Sequence, residues 1–358
     1  MKLWKTCFYC FALMGLLNFN RVALAQEKTT ESGISDNQLI VLQYHHVAED
    51  TPGITSIRPK AFISHLNYLA DNGFNIVDLP EAIQKIKTGE SLPDHAVAIT
   101  FDDGYLNLID FALPELEKRG WPATIFVNPG LLEKHSSHYL SWQQLKTWQK
   151  KGMAIANHGW QHDYWIRQPK DISAQDWQDR IKQSILSTEK AIEHHLGHSP
   201  KLVAFPYGEY DDWLTDWLKA QNLIAFGQQS GVVARYSDFA ALPRFPASGQ
   251  YANLQTLAVK LKSKALPVDY NTLPSPLVQD KKNPPELRLT WLTQFNADQF
   301  ACYVTAQPKA QTEHTTQYTT VVAVEKLNSG RSRYNCTLPR TDGSGDYYWF
   351  SQPWLVQH

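Results

Sequence analysis

The stretch Ala96-Val97-Ala98-Ile99-Thr100-Phe101-Asp102-Asp103-Gly104-Tyr105 decides how the chain is read. Its apolar, partly β-branched start has the character of a buried strand. The strand ends in two adjacent carboxylates and a glycine that permits a sharp turn. Neighbouring side chains on an extended backbone point to opposite sides, so Asp102 and Asp103 are expected to do different jobs, one ligating a metal and the other moving a proton. Alone, the stretch is more simply a solvated Asp-Asp-Gly turn. Its neighbours in the chain give it a second meaning.

Upstream, Leu39 to Tyr44 reads as a buried strand ending in His45-His46, and the spacing of Phe62, Leu66 and Leu69 predicts a helix from about Pro59. A short strand and helix are expected over Asn75–Leu79 and Glu81–Lys87. Downstream, Leu108–Arg119 reads as a helix, Ala123–Val127 as a strand, and Ser141 caps a helix to about Lys151. Met153–Asn157 is a strand running into His158. A long helix, capped by Ser173, follows over Ala174–Leu196. Leu202–Phe205 leads into Pro206-Tyr207-Gly208, Asp212–Ala220 is helical, and Leu223–Phe226 and Ala241–Phe245 are further strands. This alternation predicts an α/β fold, a (β/α)7-type distorted barrel over 38–266. In such folds functional groups gather at the carboxyl ends of strands, where His45, Asp102, Asp103, His158 and Tyr207 fall.

Residues 267–285 hold five prolines and read as a linker; the short β runs of 286–358 read as a small all-β domain. At the other end, Lys2 and Lys5, the apolar run Cys7–Leu17 and Ala23-Leu24-Ala25 have the layout of a signal peptide over 1–25, followed by a loose segment over 26–37. An exported protein, periplasmic or extracellular and with no transmembrane segment in its mature form, is expected. Cleavage leaves Cys302 and Cys336, a disulfide candidate. With 34 basic and 35 acidic residues, bulk charge selects no partner and argues against nucleic acid.

His158-Gly159-Trp160-Gln161-His162 places two imidazoles four positions apart, a spacing that on a helical turn puts both on one side, as zinc enzymes use it. With Asp103 at another strand end, the three could hold a divalent ion with a position open for water. Trp160, Tyr164 and Trp165, and Trp291, Trp349 and Trp354 in the β domain, read equally as core or as sugar-stacking surfaces. His135, His138, His194, His195 and His198 are left out of the metal site.

Taken together, Thr100–Tyr105, the His158/His162 pair and Phe205-Pro206-Tyr207-Gly208 resemble, in kind and order, the polysaccharide deacetylases of carbohydrate esterase family 4, the NodB-homology group. The resemblance covers about 38–265. It implies Asp102 as base, Asp103, His158 and His162 as ligands of a divalent metal (zinc, with cobalt or nickel as alternatives), and the Tyr207 backbone amide as oxyanion donor. Two features depart from the family pattern. Ala204 stands where an arginine usually opens the third motif, and Arg244 is the candidate replacement. No histidine occurs between His198 and His314 to protonate the leaving amine, and His45 is the candidate for that role. His46 is expected to point the other way, unless a turn reverses the two; Tyr44 and the histidines could also simply satisfy one another. The early Tyr-His resembles the subgroup that deacetylates poly-β-1,6-N-acetylglucosamine. The function implied is metal-dependent N-deacetylation of an N-acetylglucosamine polysaccharide of that type. Chitin oligomers or peptidoglycan are alternative substrates, and a noncatalytic glycan-binding protein is the rival class.

Overall fold

The computed structural model of the protein describes residues 37–134, 137–278, 280–293 and 296–357. The expected signal peptide, residues 26–36 and His135 lie outside the described residues. Among the described residues no helix is long and apolar enough to cross a membrane.

Six strands, β1 (Gln38–Tyr44), β2 (Ala96–Phe101), β3 (Ala123–Val127), β4 (Met153–Asn157), β5 (Leu202–Ala204) and β6 (Ile224–Phe226), lie side by side in parallel. The ring closes through residues 242–246. Leu242 bridges Phe226 of β6, and a two-residue strand β7 (Phe245–Pro246) pairs with Leu42 and Gln43 of β1. The strand expected over Ala241–Phe245 is thus shorter and later. Pro243 has no N–H to give to a ladder, so regular pairing cannot run through it.

Helices cover the outside as the 3.6-residue spacing predicts. α1 (Pro59–Asp71) buries Phe62, Leu66 and Leu69. α2 (Trp142–Gln149) begins with a capping box made by Ser141 and Gln144. α3 (Ala174–Leu196) is capped by Ser173 and ends at the left-handed Gly197, and α4 (Asp212–Ala220) is capped by Asp211. The helix expected over 108–119 is broken into a single turn at Leu106–Ile109 and a helix at Ala112–Lys118. Pro114 explains the break, since its ring would clash with the carbonyl of Asp110 in a continuous helix.

The strands alternate cleanly. Ile40, Leu42, Val97, Ile99, Ile125 and Ile155 face the helices, while Leu39, Val41, Ala96, Ala98, Phe126, Ala156, Ala204, Phe226 and Leu242 fill the barrel. The inward series then turns polar at the carboxyl ends: Gln43 after Val41, Asp102 two steps beyond Ala98, His158 after Ala156 and Arg244 after Leu242, all buried. An apolar floor therefore carries a polar layer at the barrel mouth.

The remaining strands, β8 (Glu286–Thr290), β9 (Ala301–Val304), β10 (Gln311–His314), β11 (Tyr318–Val322), β12 (Gly330–Pro339) and β13 (Tyr347–Val356), make two small antiparallel sheets. They share a core that includes Leu287, Phe300, Val321, Tyr334 and Trp354. Cys302 and Cys336 sit directly opposite each other on β9 and β12 and are joined by a disulfide. The proline-rich stretch 267–285 is not a free linker. Leu277 and Val278 pair with β13, and Val268 and Val278 are buried in the core of the β sheets. Its prolines suit an edge segment that needs few N–H donors.

Candidate active site

At the end of β2 the extended backbone carries Asp102 inward, and Asp103 then turns into the left-handed region at φ 71°, followed by Gly104 at 68°. This reversal gives the two carboxylates separate surroundings, as the sequence predicts. Asp102 is fully buried and held by three donors. Arg244 Nη1 reaches Oδ1 at 2.6 Å, while Arg244 Nη2 at 2.8 Å and Gln43 Nε2 at 2.6 Å reach Oδ2. Burial alone would raise the pKa of Asp102, but the Arg244 charge and hydrogen bonds outweigh it and bring it down to about 2. Arg244, equally buried, is itself fixed by its Nε–H to the Gly227 carbonyl and by Nη1–H to the Thr100 hydroxyl.

Asp103 faces the two histidines. His158 Nε2 and His162 Nε2 each lie 3.4 Å from Asp103 Oδ1, and the donor atoms of the three residues all fall within 4.8 Å of one another. His158 Nδ1 must carry a proton, because its partner at 2.8 Å is the Ala204 carbonyl, which can only accept. In neutral His158 a bare Nε2 lone pair therefore points at a carboxylate oxygen, and this buried nitrogen has no hydrogen-bond partner among the described residues. Two acceptors aimed at each other need a cation between them, so the residues fit a divalent metal. Burial and the neighbouring His158 lower His162 to about 4, which keeps its lone pair free near neutral pH.

The loop that presents the histidines is not the helical turn expected from their spacing. Gly159 at φ 75° and His162 at φ 58° turn the chain instead. The side chain of Asn128 donates to the carbonyls of His158 and Gly159, and Asn157 Oδ1 accepts from the Gly159 amide at 2.8 Å. A Cβ at Gly159 would lie 2.6 Å from the Trp165 ring, so glycine is required there twice over.

His45 and His46 separate as the strand alternation predicts. His45 Nε2 lies 3.8 Å from Asp102 Oδ2. His46 accepts from Asn107 Nδ2 at 2.8 Å and stacks on Tyr105 with ring centroids 3.6 Å apart. Tyr44 is not satisfied by either; it bonds His65 of α1, whose other nitrogen donates to the Ala252 carbonyl. Tyr207 sits in a tight turn at φ 60°, its ring edge-on to His162 at 4.5 Å and stacked on Tyr164 at 3.9 Å. The amides that follow it, of Gly208 and Glu209, are taken by the carbonyls of Phe205 and Pro206.

Of the candidate sugar platforms, Trp165 is fully buried core and Tyr164 is exposed beside Tyr207. Trp291 and Trp354 are buried, and Trp349 packs edge-on to Phe245, so these three form no exposed array. Gln43, Thr100, Asn128 and Asn157 were not legible as site residues. For Gln43 a signal exists: it is the first polar residue in the inward series that begins with Leu39 and Val41.

Residues 89–224 match the family model for polysaccharide deacetylase. That match places a polysaccharide deacetylase domain within the chain. Over 196 residues it is 27% identical to the putative polysaccharide deacetylase YxkH of Bacillus subtilis, covering 54% of this chain and 64% of that one. It is 21% identical to the poly-beta-1,6-N-acetyl-D-glucosamine N-deacetylase of Escherichia coli (63% of this chain, 40% of that one). Identity to the Staphylococcus epidermidis enzyme of the same name is 28% (69% and 94%). The chain thus spans less than two thirds of the length of the first two relatives. Among solved structures, IcaB from Ammonifex degensii superposes with a TM-score of 0.55 at 25% identity, over 63% of this chain and 98% of that one. The barrel and its flanking helices, Gln38 to Ala265, contain every residue of the site described above.

Proposed function

We propose that the protein is an exported, metal-dependent hydrolase that removes acetyl groups from an N-acetylglucosamine polymer of the β-1,6 type. One observation carries the reading. Asp103, His158 and His162 converge on a single point, and a second carboxylate with an imidazole 3.8 Å away stands beside it. The polymer class is supported by the likeness to the two poly-beta-1,6-N-acetyl-D-glucosamine N-deacetylases, and export by the amino-terminal sequence.

In the mechanism, Asp102 accepts the proton of the water that attacks the acetamide carbonyl. A carboxylate with a pKa near 2 is a weak base, so that water must be acidified. When bound by Asp103, His158 and His162, a divalent cation supplies that acidity. The fork of Arg244 keeps Asp102 ionised and its oxygens in place. The Tyr207 amide donates to the carbonyl oxygen as charge grows on it. His45, on the Asp102 side, gives its proton to the departing amine, and the products are acetate and a free amino sugar.

The test is acetate release from β-1,6-linked and β-1,4-linked N-acetylglucosamine oligomers, with zinc or cobalt added, for the wild type and Asp102→Asn. Release by the wild type, cut about a hundredfold or more in the variant, is expected. Binding of polymer without release of acetate from any of them would leave a glycan-binding protein. The Arg244–Asp102 pair weighs against that rival, because a barrel that only holds sugar has no need of a buried, ionised carboxylate.

A further inference from the structure

We infer that Arg331, on a strand outside the deacetylase barrel, is a positioning residue that holds the Tyr207 turn in its working shape; the inference rests on the role proposed above for the Tyr207 amide. Tyr207 (φ 60°, ψ 0°) and Gly208 (φ 72°) are two successive left-handed residues. For a residue with a Cβ this region is unfavourable, so the turn persists only if its surroundings hold it. The barrel supplies part of the hold: the Tyr207 ring is stacked on Tyr164 and edge-on to His162. The rest comes from β12.

Arg331 Nη1 donates to the Tyr207 carbonyl at 2.8 Å, and its guanidinium lies over the Tyr207 ring at 5.6 Å. Two residues along, on the same face of the strand, Arg333 Nη1 donates to the Gln228 carbonyl at 3.2 Å. Gln228 lies against the turn itself, since a Cβ on Gly208 would meet its side chain at 2.7 Å. One face of β12 thus grips the loops that follow β5 and β6. Behind them stands Glu209, almost fully buried, which takes a forked ion pair from Arg167 and has Arg331 Nε at 3.7 Å. Arg167 in turn lies over the Tyr164 ring at 4.4 Å. Carbonyl and ring of Tyr207 are both held, and the backbone that carries its amide is thereby fixed. Charge-assisted bonds to a carbonyl are strong enough for such a hold.

The side chain of Arg331 is half-exposed, and its removal leaves no buried charge unpaired, because Glu209 keeps its fork from Arg167. The full chain with its metal is assayed for acetate release from a β-1,6-linked N-acetylglucosamine oligomer. For Arg331→Ala, kcat is expected to fall about tenfold or more, with KM within twofold and metal content and Tm unchanged, and Arg331→Lys should recover part of the loss. Hydrogen–deuterium exchange over residues 205–210 should quicken in Arg331→Ala. Unchanged kcat, a loss confined to KM, or no rescue by lysine overturns the inference while leaving the proposed function standing. If the wild type releases no acetate, the proposed function falls. Exchange then decides alone: faster exchange over 205–210 supports the brace, and equal exchange ends it.

Discussion

Arg244 and Asp102, 142 residues apart in the chain, meet inside the barrel as a two-pronged ion pair, with nitrogen–oxygen distances of 2.6 and 2.8 Å. Neither side chain reaches solvent. Ala204 occupies an inward position of β5 without filling the mouth, and the guanidinium arrives instead from the segment before β7. The same carboxylate is thereby served from the opposite side of the ring closure.

Replacing Arg244 with Met should cost about 3–5 kcal/mol at neutral pH, because it leaves the buried Asp102 charge without its partner. The sign with pH follows from the pair. With Arg244 present, the pKa of Asp102 lies below its ordinary 3.8, so the pair adds stability above about pH 4 and loses it as pH falls through about 2. Without it, burial prevails and raises the pKa. The deficit of Arg244→Met should then shrink as the solution is acidified toward pH 4. Urea unfolding of both proteins between pH 4 and 8 checks this, and a deficit that does not vary with pH would contradict it.

Asp103→Asn should abolish metal retention while leaving the fold intact. Asparagine tolerates the left-handed backbone at φ 71°, so the substitution removes ligand charge without adding strain. Metal analysis after gel filtration is expected to give about one equivalent for the wild type and almost none for the variant, with matching far-UV spectra. Chelator treatment of the wild type should reproduce the loss of acetate release, and added zinc should restore it.

Asp211, the N-cap of α4, offers a pH test away from the metal. Burial, together with the nearby Asp212 charge, raises its pKa from 3.8 to about 6. The folded state therefore prefers the protonated form, and the stability this gives is full below about pH 4 and lost as pH rises through about 6. Asp211→Asn keeps a capping oxygen for the Leu214 amide but has nothing to ionise. Its Tm should exceed that of the wild type at pH 8 and match it at pH 4; an equal difference at both would count against the assignment.

Much of the site was legible because each chemical group ends a strand whose apolar alternation is plain. Asp102 continues from Ala98 and His158 from Ala156, so the barrel and its polar rim follow from counting by twos. Arg244 could be nominated only because an arginine was missed at Ala204. Its fork to Asp102 is a contact across 142 positions that no local pattern encodes. The backbone around His162 was misread for a related reason. A four-residue histidine spacing suits a helix, but Asn128 and Asn157 bind the loop's backbone groups and favour a left-handed turn. The stretch 267–285 was misjudged because prolines mark an edge segment and a linker alike.

The disulfide gives the last test, because it staples β12, the strand that carries Arg331. Cys302 and Cys336 close a loop of 34 residues, a constraint worth roughly 4 kcal/mol through the unfolded chain. Small sheets with limited cores depend on such links more than the barrel does. Cys302→Ala with Cys336→Ala should lower the unfolding midpoint of the β sheets, read from the near-ultraviolet signal of Trp291 and Trp354, which are buried there. Cys336 and Arg331 share β12, so loosening this strand should also release the Tyr207 carbonyl. Acetate release by the double variant is therefore expected to fall at temperatures where the β sheets open and the barrel still holds metal. A double variant whose activity and metal content decline together would show instead that the sheets serve the barrel's stability alone.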